Sequence, residues 1–360
     1  MDAVGLRDAI GESKGKLTLL QHFQRTDLIF RSVPDHIWPS TGELDGSHKG
    51  RAAAIVGGGP SLTQSFPELR KLHDAGGVVF APNKSHDWLI DGERDTGRRR
   101  QHRWLRKPLI PTYGVLVDPS PHISDYMRPH KDVSYLLGTI LDYHCFINFL
   151  RADSRAYLWV PTFMEDASDI LQASERWPDR PMQFVSGGST VGLRTIGLAV
   201  SMGIENIHLH GFDSSYAPGT NTLYAYHKPS ITKEQSNPTI VSEGGDQLRF
   251  KVNHHMAKQA IEFDDLCKRL DTMIINGIPR SVSLTVHGDG AIPWMAWKSQ
   301  SPHIHHADPS MMLKKYGTHK YFDYATGLSQ SEPLYYSPET PILINQFELP
   351  KFSDTKAATK

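Results

Sequence analysis

Two glycine-rich turns in the sequence have the composition of phosphate-binding turns. The first turn is Gly57-Gly58-Gly59-Pro60-Ser61, and the second turn is Ser186-Gly187-Gly188-Ser189-Thr190. Each follows a short apolar run and precedes an amphipathic segment, a pattern that predicts a strand leading through a turn into a helix. Glycine lets a backbone approach a phosphate closely, and the N-terminus of the next helix carries partial positive charge. Two such turns favour a nucleotide-handling enzyme.

The first turn lacks the residues of two common nucleotide motifs. A Walker motif needs Lys followed by Ser or Thr after its last glycine, whereas this chain has Pro60 and Ser61 there. Leu62 stands where the dinucleotide fingerprint has its third glycine, and Asn83 stands where that fold has an acidic ribose-binding residue. The sequence therefore disfavours NAD chemistry. A tight turn that binds no ligand stays an alternative.

Several polar residues directly follow predicted strands. Asn83, Asp118, Asp213 and Asp289 share this position. Ligands of open parallel sheets bind outside the carboxyl ends of the strands, so we expect these side chains along one edge. Asn83 could donate to a phosphate or a base, and Asp118 or Asp213 could hold Mg²⁺ or a ribose hydroxyl. Loop capping is the alternative for each single Asp.

Histidines and tyrosines near a long polar loop are candidates for proton transfer and phosphate binding. His254 and His255 open the predicted helix after residues 217–246, and Tyr216, Tyr224, Tyr226 and His227 lie upstream. Histidine titrates near neutral pH and suits a general base or acid. By contrast, we expect His303, His305 and His306 in a surface tail, and the arginines of residues 94–106 on a solvated segment.

The composition narrows the class of protein. Lys plus Arg and Asp plus Glu each number 39, so no net charge attracts nucleic acid or a membrane surface. Cys145 and Cys267 are expected to be free thiols in a reducing compartment. No apolar stretch reaches the length of a membrane span, and no secretory pattern opens the chain. We expect a soluble cytoplasmic protein without a nucleic-acid partner; homo-oligomerisation is left open.

The alternation of short apolar strands with helices predicts an α/β fold: a Rossmann-like, open, mostly parallel sheet with helices on both faces. We assign residues 51–290 to this transferase domain, residues 1–50 to an N-terminal accessory segment and residues 291–360 to an irregular C-terminal tail. A capping-box spacing at Ser65 predicts the start of the first domain helix. The predicted strands cover residues 52–56, 78–81, 113–117, 134–137, 156–160, 183–185, 206–209 and 283–286.

Taken in order, the motifs resemble those of the MptE-like family. They are the first turn with Leu62, Asn83, the Ser-Gly-Gly-Ser of the second turn, and Ile207–Tyr216. The family is named for archaeal 6-hydroxymethylpterin diphosphokinase and includes the Maf motility-associated glycosyltransferases. A more remote resemblance is to bacterial sialyltransferases that use a CMP-activated sugar. The resemblance covers residues 51–290.

The resemblance implies roles for individual residues. The first turn and Asn83 would contact nucleotide phosphates and ribose, and the second turn would hold the base or a phosphate from the opposite side. Tyr216, Tyr224 or Tyr226 would contact the donor phosphate. His254 or His255 would be the catalytic base, with His227 as a further candidate.

The implied function is glycosyl transfer from a CMP-type nucleotide-activated sugar to a hydroxyl of a small molecule or glycan. One alternative is an ATP-dependent diphosphokinase acting on a hydroxymethyl, pterin-like substrate, with Mg²⁺ on Asp118 and Asp213. Another alternative is a nucleotide-binding module without turnover.

Overall fold

The computed structural model describes residues 19–33, 38–91, 108–161, 183–185, 187–217, 222–225, 250, 252–270, 274–275, 278–279, 281–299, 301–316, 321–323 and 328–330. The α-helices within these residues are α1 (Leu19–Ser32), α2 (Leu62–Asp74), α3 (Ser85–Asp91), α4 (Tyr143–Arg151), α5 (Val191–Ser201), α6 (His254–Leu270), α7 (Ala291–Lys298) and α8 (Pro309–Tyr316). The strands are β1 (Ala52–Val56), β2 (Val78–Pro82), β3 (Tyr113–Leu116), β4 (Ser134–Gly138), β5 (Ala156–Pro161), β6 (Phe184–Val185), β7 (Asn206–His210), β8 (Ile274–Ile275), β9 (Ile278–Pro279), β10 (Ser283–Val286), β11 (Ile304–His306), β12 (Tyr321–Asp323) and β13 (Leu328–Gln330).

Nine of these strands form one parallel sheet, which confirms the predicted Rossmann-like α/β fold. The strand order is β11-β10-β7-β1-β2-β3-β4-β5-β6. The first strand, β1, therefore lies inside the sheet, and β2 to β6 follow it in order on one side. The chain then returns through α5 to β7, which pairs with the other side of β1. This reversal makes the boundary between β1 and β7 the topological switch point, where open parallel sheets bind their ligands.

Successive side chains of β1 point to opposite faces of the sheet, and on each face they pack against a different helix. Ala53 and Ile55 belong to the core formed with α5, whereas Ala54 and Val56 belong to the core formed with α2. The small alanines let both helices approach the central strand closely. The carboxyl end of β1 and the first turn are therefore held from both faces.

The start of α2 differs from the prediction. The helix begins at Leu62 and Pro67 lies inside it, so the capping box predicted at Ser65 is wrong. The physical reason is a tertiary contact: the Ser61 N–H donates to Asp213 Oδ2 at 3.0 Å, which satisfies a donor at the helix start from across the fold.

The sheet also extends beyond the predicted last strand at residues 283–286. Ile304–His306 pairs in parallel with β10 as β11, and α8 follows it. His306 is buried, and its Nε2 lies 2.7 Å from the Gly288 carbonyl oxygen. The prediction of an irregular tail is therefore wrong for Ile304–His306, and the predicted surface position is wrong for His306, whereas His305 is exposed.

Residues before β1 contribute to the buried core. Ile29, Val33 and Trp38 are each at most 2% exposed and pack in a cluster with residues of β3, β4, α4 and β5. The domain division at residues 50 and 290 stays a prediction. Across the described residues, no helix combines the length and the apolar character needed to cross a bilayer.

Candidate functional site

The first turn interlocks with the loop that follows β7. Gly57 N–H donates to the His210 carbonyl at 2.7 Å, and Gly59 N–H donates to the Gly211 carbonyl at 2.8 Å. A Cβ on Gly57 would overlap the Gly211 carbonyl oxygen, and one on Gly59 would overlap Asp213 Oδ2. Close approach of these two loops therefore requires glycine at both positions.

Asp213 is a buried carboxyl group rather than a group on the surface of the site. It is 1% exposed, Oδ2 accepts the Ser61 N–H, and Oδ1 has no hydrogen-bond partner among the described residues. Burial raises the pKa of Asp213 to about 7, and the nearby Asp289 acts in the same direction. The structure thus gives Asp213 a role in holding the first turn.

Asn83 and Lys84 form a polar group at the carboxyl end of β2. Asn83 has a left-handed backbone with φ of 52°, and its buried Oδ1 has no partner among the described residues. The half-buried Lys84 places its Nζ 4.3 Å from the centre of the Tyr126 ring. Lys84 and Tyr126 were not predicted; the position of Lys84 directly after the strand-end Asn83 was the available signal.

Asp118 lies at the end of the next strand, near Tyr126. Its Oδ1 accepts the Ser120 N–H at 2.8 Å, the capping contact that was the alternative for this residue. Burial, followed by the charge of Asp118, raises the pKa of Tyr126. The hydroxyl of Tyr126 is therefore a hydrogen-bond donor at neutral pH.

Tyr216 and Tyr224 extend this polar group toward the first turn. Ala225 N–H donates to the Gly58 carbonyl at 3.0 Å, which joins the segment that carries Tyr224 to the first turn. Burial raises the pKa of Tyr224, with further contributions from the nearby Tyr126 and Tyr216. Tyr216 is buried and Tyr224 is 38% exposed, so the Tyr224 side chain is the more accessible of the two.

The second turn already binds a carboxylate of the protein. Ser189 donates from both its N–H and its Oγ to Glu262 Oε2, each at 2.8 Å. Gly187 and Gly188 have positive φ values, and a Cβ on Gly188 would lie 2.9 Å from the same oxygen. Thr190 caps α5 by accepting the Leu193 N–H. Glu262, which the sequence did not reveal, thus accepts the hydrogen bonds of Ser189, which were predicted to hold the base or a phosphate of a nucleotide.

The start of α6 meets both the second turn and the loop after β7. Ser214 Oγ lies 3.0 Å from the Met256 carbonyl oxygen and 2.9 Å from Gln259 Oε1. Gln259 Nε2 in turn lies 3.5 Å from Thr190 Oγ1. His255, in the first turn of this helix, is exposed.

These contacts bring the predicted motifs to one edge of the sheet, whereas their ligand and catalytic roles stay predictions. Ser186, Tyr226, His227, the arginines of residues 94–106 and the His254 side chain lie outside the described residues.

Comparison with known proteins gives remote similarity to solved structures. No family model matches the chain, and no curated protein matches it. Among solved structures, the chain is similar to the MAf glycosyltransferase of Magnetospirillum magneticum, with a TM-score of 0.41 and 11% sequence identity. The similarity covers 71% of this chain and 36% of that protein, so the chain spans little more than a third of that structure's length.

Proposed function

We propose that the chain is a nucleotide-dependent glycosyltransferase that binds a CMP-type sugar donor at the carboxyl ends of β1, β2 and β3. The observation that carries the proposal is the Asn83–Lys84 pair beside the topological switch point. Asn83 offers a buried oxygen without a partner among the described residues, and Lys84 offers a partly accessible cation. An unsatisfied polar atom beside a cation suits a ligand that has both hydroxyl or amino donors and a phosphate.

In this proposal, Lys84 pairs with the donor phosphate and Asn83 Oδ1 accepts from the ribose or the base. The Tyr224 hydroxyl donates to the phosphate oxygen that becomes negative as the bond to the sugar breaks. The acceptor hydroxyl forms the new bond to the anomeric carbon, and its proton passes to a base. The exposed His255, or its neighbour His254, takes that proton.

The diphosphokinase alternative depends on Asp118. Asp213 is buried and its pKa is raised to about 7, so it is a poor ligand for Mg²⁺, which favours ionised carboxylates. Asp118 keeps Oδ2 for a metal ion while its Oδ1 accepts from Ser120. One carboxylate with ATP phosphates can hold Mg²⁺, so this reaction is the second candidate.

Thermal stabilisation by a nucleotide panel separates the candidate functions. We expect CMP and CMP-sugars to raise the melting temperature in the presence of a chelator. Stabilisation by ATP that requires Mg²⁺ would favour the diphosphokinase instead. Nucleotide binding without turnover of any donor would favour the binding module, and the lack of any shift would contradict a nucleotide site.

Lys84→Ala tests the placement of the phosphate. We expect it to weaken CMP binding by about 10-fold or more, because a charge-assisted contact to phosphate contributes about 1.5–3 kcal/mol. Lys71→Ala is the matched control, since the exposed Lys71 lies in the last turn of α2, away from the carboxyl ends of the strands. Equal CMP affinity in the two variants would place the phosphate elsewhere.

The double variant His254→Ala and His255→Ala tests the base. We expect turnover to fall by about 100-fold or more while CMP binding is retained, because the base acts on the acceptor and not on the nucleotide. Unchanged turnover would contradict this assignment.

A further inference from the structure

Three histidines outside the proposed donor site form a compact cluster on the sheet face covered by α2. His208 and His210 lie two residues apart on β7, so their side chains share one face, and His287 directly follows β10. The possible ligand nitrogens of the three residues all lie within 4.8 Å of one another. His208 Nδ1 and His287 Nε2 are 3.1 Å apart, and the rings of His210 and His287 stack at 3.9 Å.

The buried member of this cluster has unmet bonding capacity. His210 is 0% exposed, and neither ring nitrogen makes a hydrogen bond of normal geometry to a described residue. The backbone of Ser65 lies beside it, and the Ser65 hydroxyl is likewise buried without a partner in the described part of the chain. Buried polar atoms are nearly always satisfied by protein, water or an ion. A ligand between these groups would satisfy them.

We propose that His208, His210 and His287 bind a divalent transition-metal ion such as Zn²⁺. Imidazole nitrogen is a preferred ligand of Zn²⁺, and three histidines are an established protein ligand set for it. The proposed ion links the carboxyl end of β7 to the turn after β10. It also lies near the loop that holds Asp213, since a Cβ built on Gly288 of that turn would lie 3.2 Å from Asp213 Oδ1.

The present arrangement of the rings requires side-chain rotations to complete the site. A Zn–N distance of about 2.0–2.1 Å with tetrahedral angles separates two ligand nitrogens by about 3.3 Å. The pair His208–His287 already meets this distance at 3.1 Å. The stacked His210 and His287 rings need to splay apart so that their nitrogens point to one centre. His208 is half-buried, which leaves one side of the cluster open to an entering ion.

The proposal competes with a metal-free cluster. A single hydrogen bond between His208 and His287, with His210 stacked beneath, would account for the short distances. Even if one ring nitrogen of His210 donates to the Ser65 carbonyl, the other is left without a partner among the described residues. Metal binding is therefore the interpretation that satisfies more of the buried polar atoms.

Titration of the full chain, first treated with a chelator, with Zn²⁺ and separately with Co²⁺ tests the site. We expect one Zn²⁺ bound by calorimetry, and a visible Co²⁺ absorption band of the intense tetrahedral type that added Zn²⁺ removes. His208→Asn should weaken Zn²⁺ binding by about 100-fold or more, because it removes a ligand.

His305→Asn is the matched control. His305 and His208 align with the same β10 residue, Thr285, but His305 is exposed and does not belong to the cluster. The Zn²⁺ affinity of the His305→Asn variant should match that of the unchanged chain. His287→Asn removes a second proposed ligand, one that lies outside β7. Circular dichroism checks that each variant is folded. Absence of Zn²⁺ binding, or equal affinity in His208→Asn and His305→Asn, would overturn the proposal.

Discussion

At the scale of single residues, the glycines and the aspartate at the switch point make contacts with other parts of the protein. Gly57 and Gly59 allow the first turn to pack on the loop after β7, and Asp213 accepts a hydrogen bond from that turn. The sequence interpretation assigned the same residues to phosphate, ribose or Mg²⁺. Glycines and an aspartate after strands are consistent with ligand binding and with packing between two loops, because each of these needs close approach of the backbone. The groups available to a ligand are instead the buried Asn83 Oδ1, which has no partner among the described residues, and the more accessible Lys84 and Tyr224.

Asp213 should make the stability of the metal-free chain depend on pH. Its native pKa of about 7 lies above its ordinary value of 3.8, so the folded state binds more protons between these values. The free energy of unfolding therefore loses up to about 4 kcal/mol from this group as pH rises through that window. Asp213→Asn removes the ionisation, and we expect the variant to gain stability relative to the unchanged chain near pH 8 but not near pH 4.

Urea unfolding at both pH values in the presence of a chelator measures this difference. The comparison between variants matters because buried histidines have the opposite dependence. Burial lowers the pKa of His22 to about 4, so its contribution to stability is lost as pH falls. Asp125→Asn, at an exposed site, is the control. Parallel pH profiles for Asp213→Asn and the unchanged chain would show that Asp213 is not the titrating group.

At the scale of elements, the strands were predictable and the long-range contacts were not. Strands buried on both faces, such as Val78–Pro82, have apolar runs that are visible locally. The start of α2 depends on a hydrogen bond between Ser61 and Asp213, 152 residues apart, so a local capping rule misplaced it. The strand Ile304–His306 was not predicted, because two of its three residues are histidines and it therefore has no run of apolar residues.

For the candidate site, likewise, the local motifs were predictable from the sequence and their long-range partners were not. The order of the motifs along the chain indicated one edge of a parallel sheet, where their contacts place them. The partner of the second turn, Glu262, lies 73 residues away on α6 and has no local signature. The histidine cluster joins residues 79 positions apart, and on β7 its two members look like ordinary strand alternation.

The contact between α6 and the second turn should stabilise the fold. Glu262→Ala leaves the Ser189 N–H and hydroxyl without their acceptor, and we expect a loss of about 1–2 kcal/mol in the free energy of unfolding. Glu262→Gln keeps an acceptor oxygen and should lose less. Asp265→Ala, at a 47% exposed position on the same helix, is the control. If Glu262→Ala and Asp265→Ala unfold at the same urea concentration, the contact contributes no stability.

At the scale of the whole molecule, residues before β1 complete the core beneath the outer strands. Trp38 is 2% exposed, its ring nitrogen donates to the Ser154 carbonyl at 3.0 Å, and its ring packs near Phe146. Arg25 of α1 donates to the carbonyl oxygens of Pro119 and Ile140, beyond the carboxyl ends of β3 and β4. The N-terminal helix thus closes the edge of the sheet beside the proposed donor site.

Trp38→Ala should therefore destabilise the entire sheet rather than release an accessory segment. Removing a buried tryptophan costs about 3–5 kcal/mol, and a shared core transmits that loss to a single cooperative transition. Calorimetry should show one transition at a lower temperature, whereas Leu28→Ala, at a 48% exposed position on α1, should leave it near its original temperature. If Trp38→Ala instead leaves the main transition in place and adds a separate early one, residues 1–50 fold independently. The division at residue 50 would then be a true domain boundary, and the edge beside the donor site could open without unfolding the sheet.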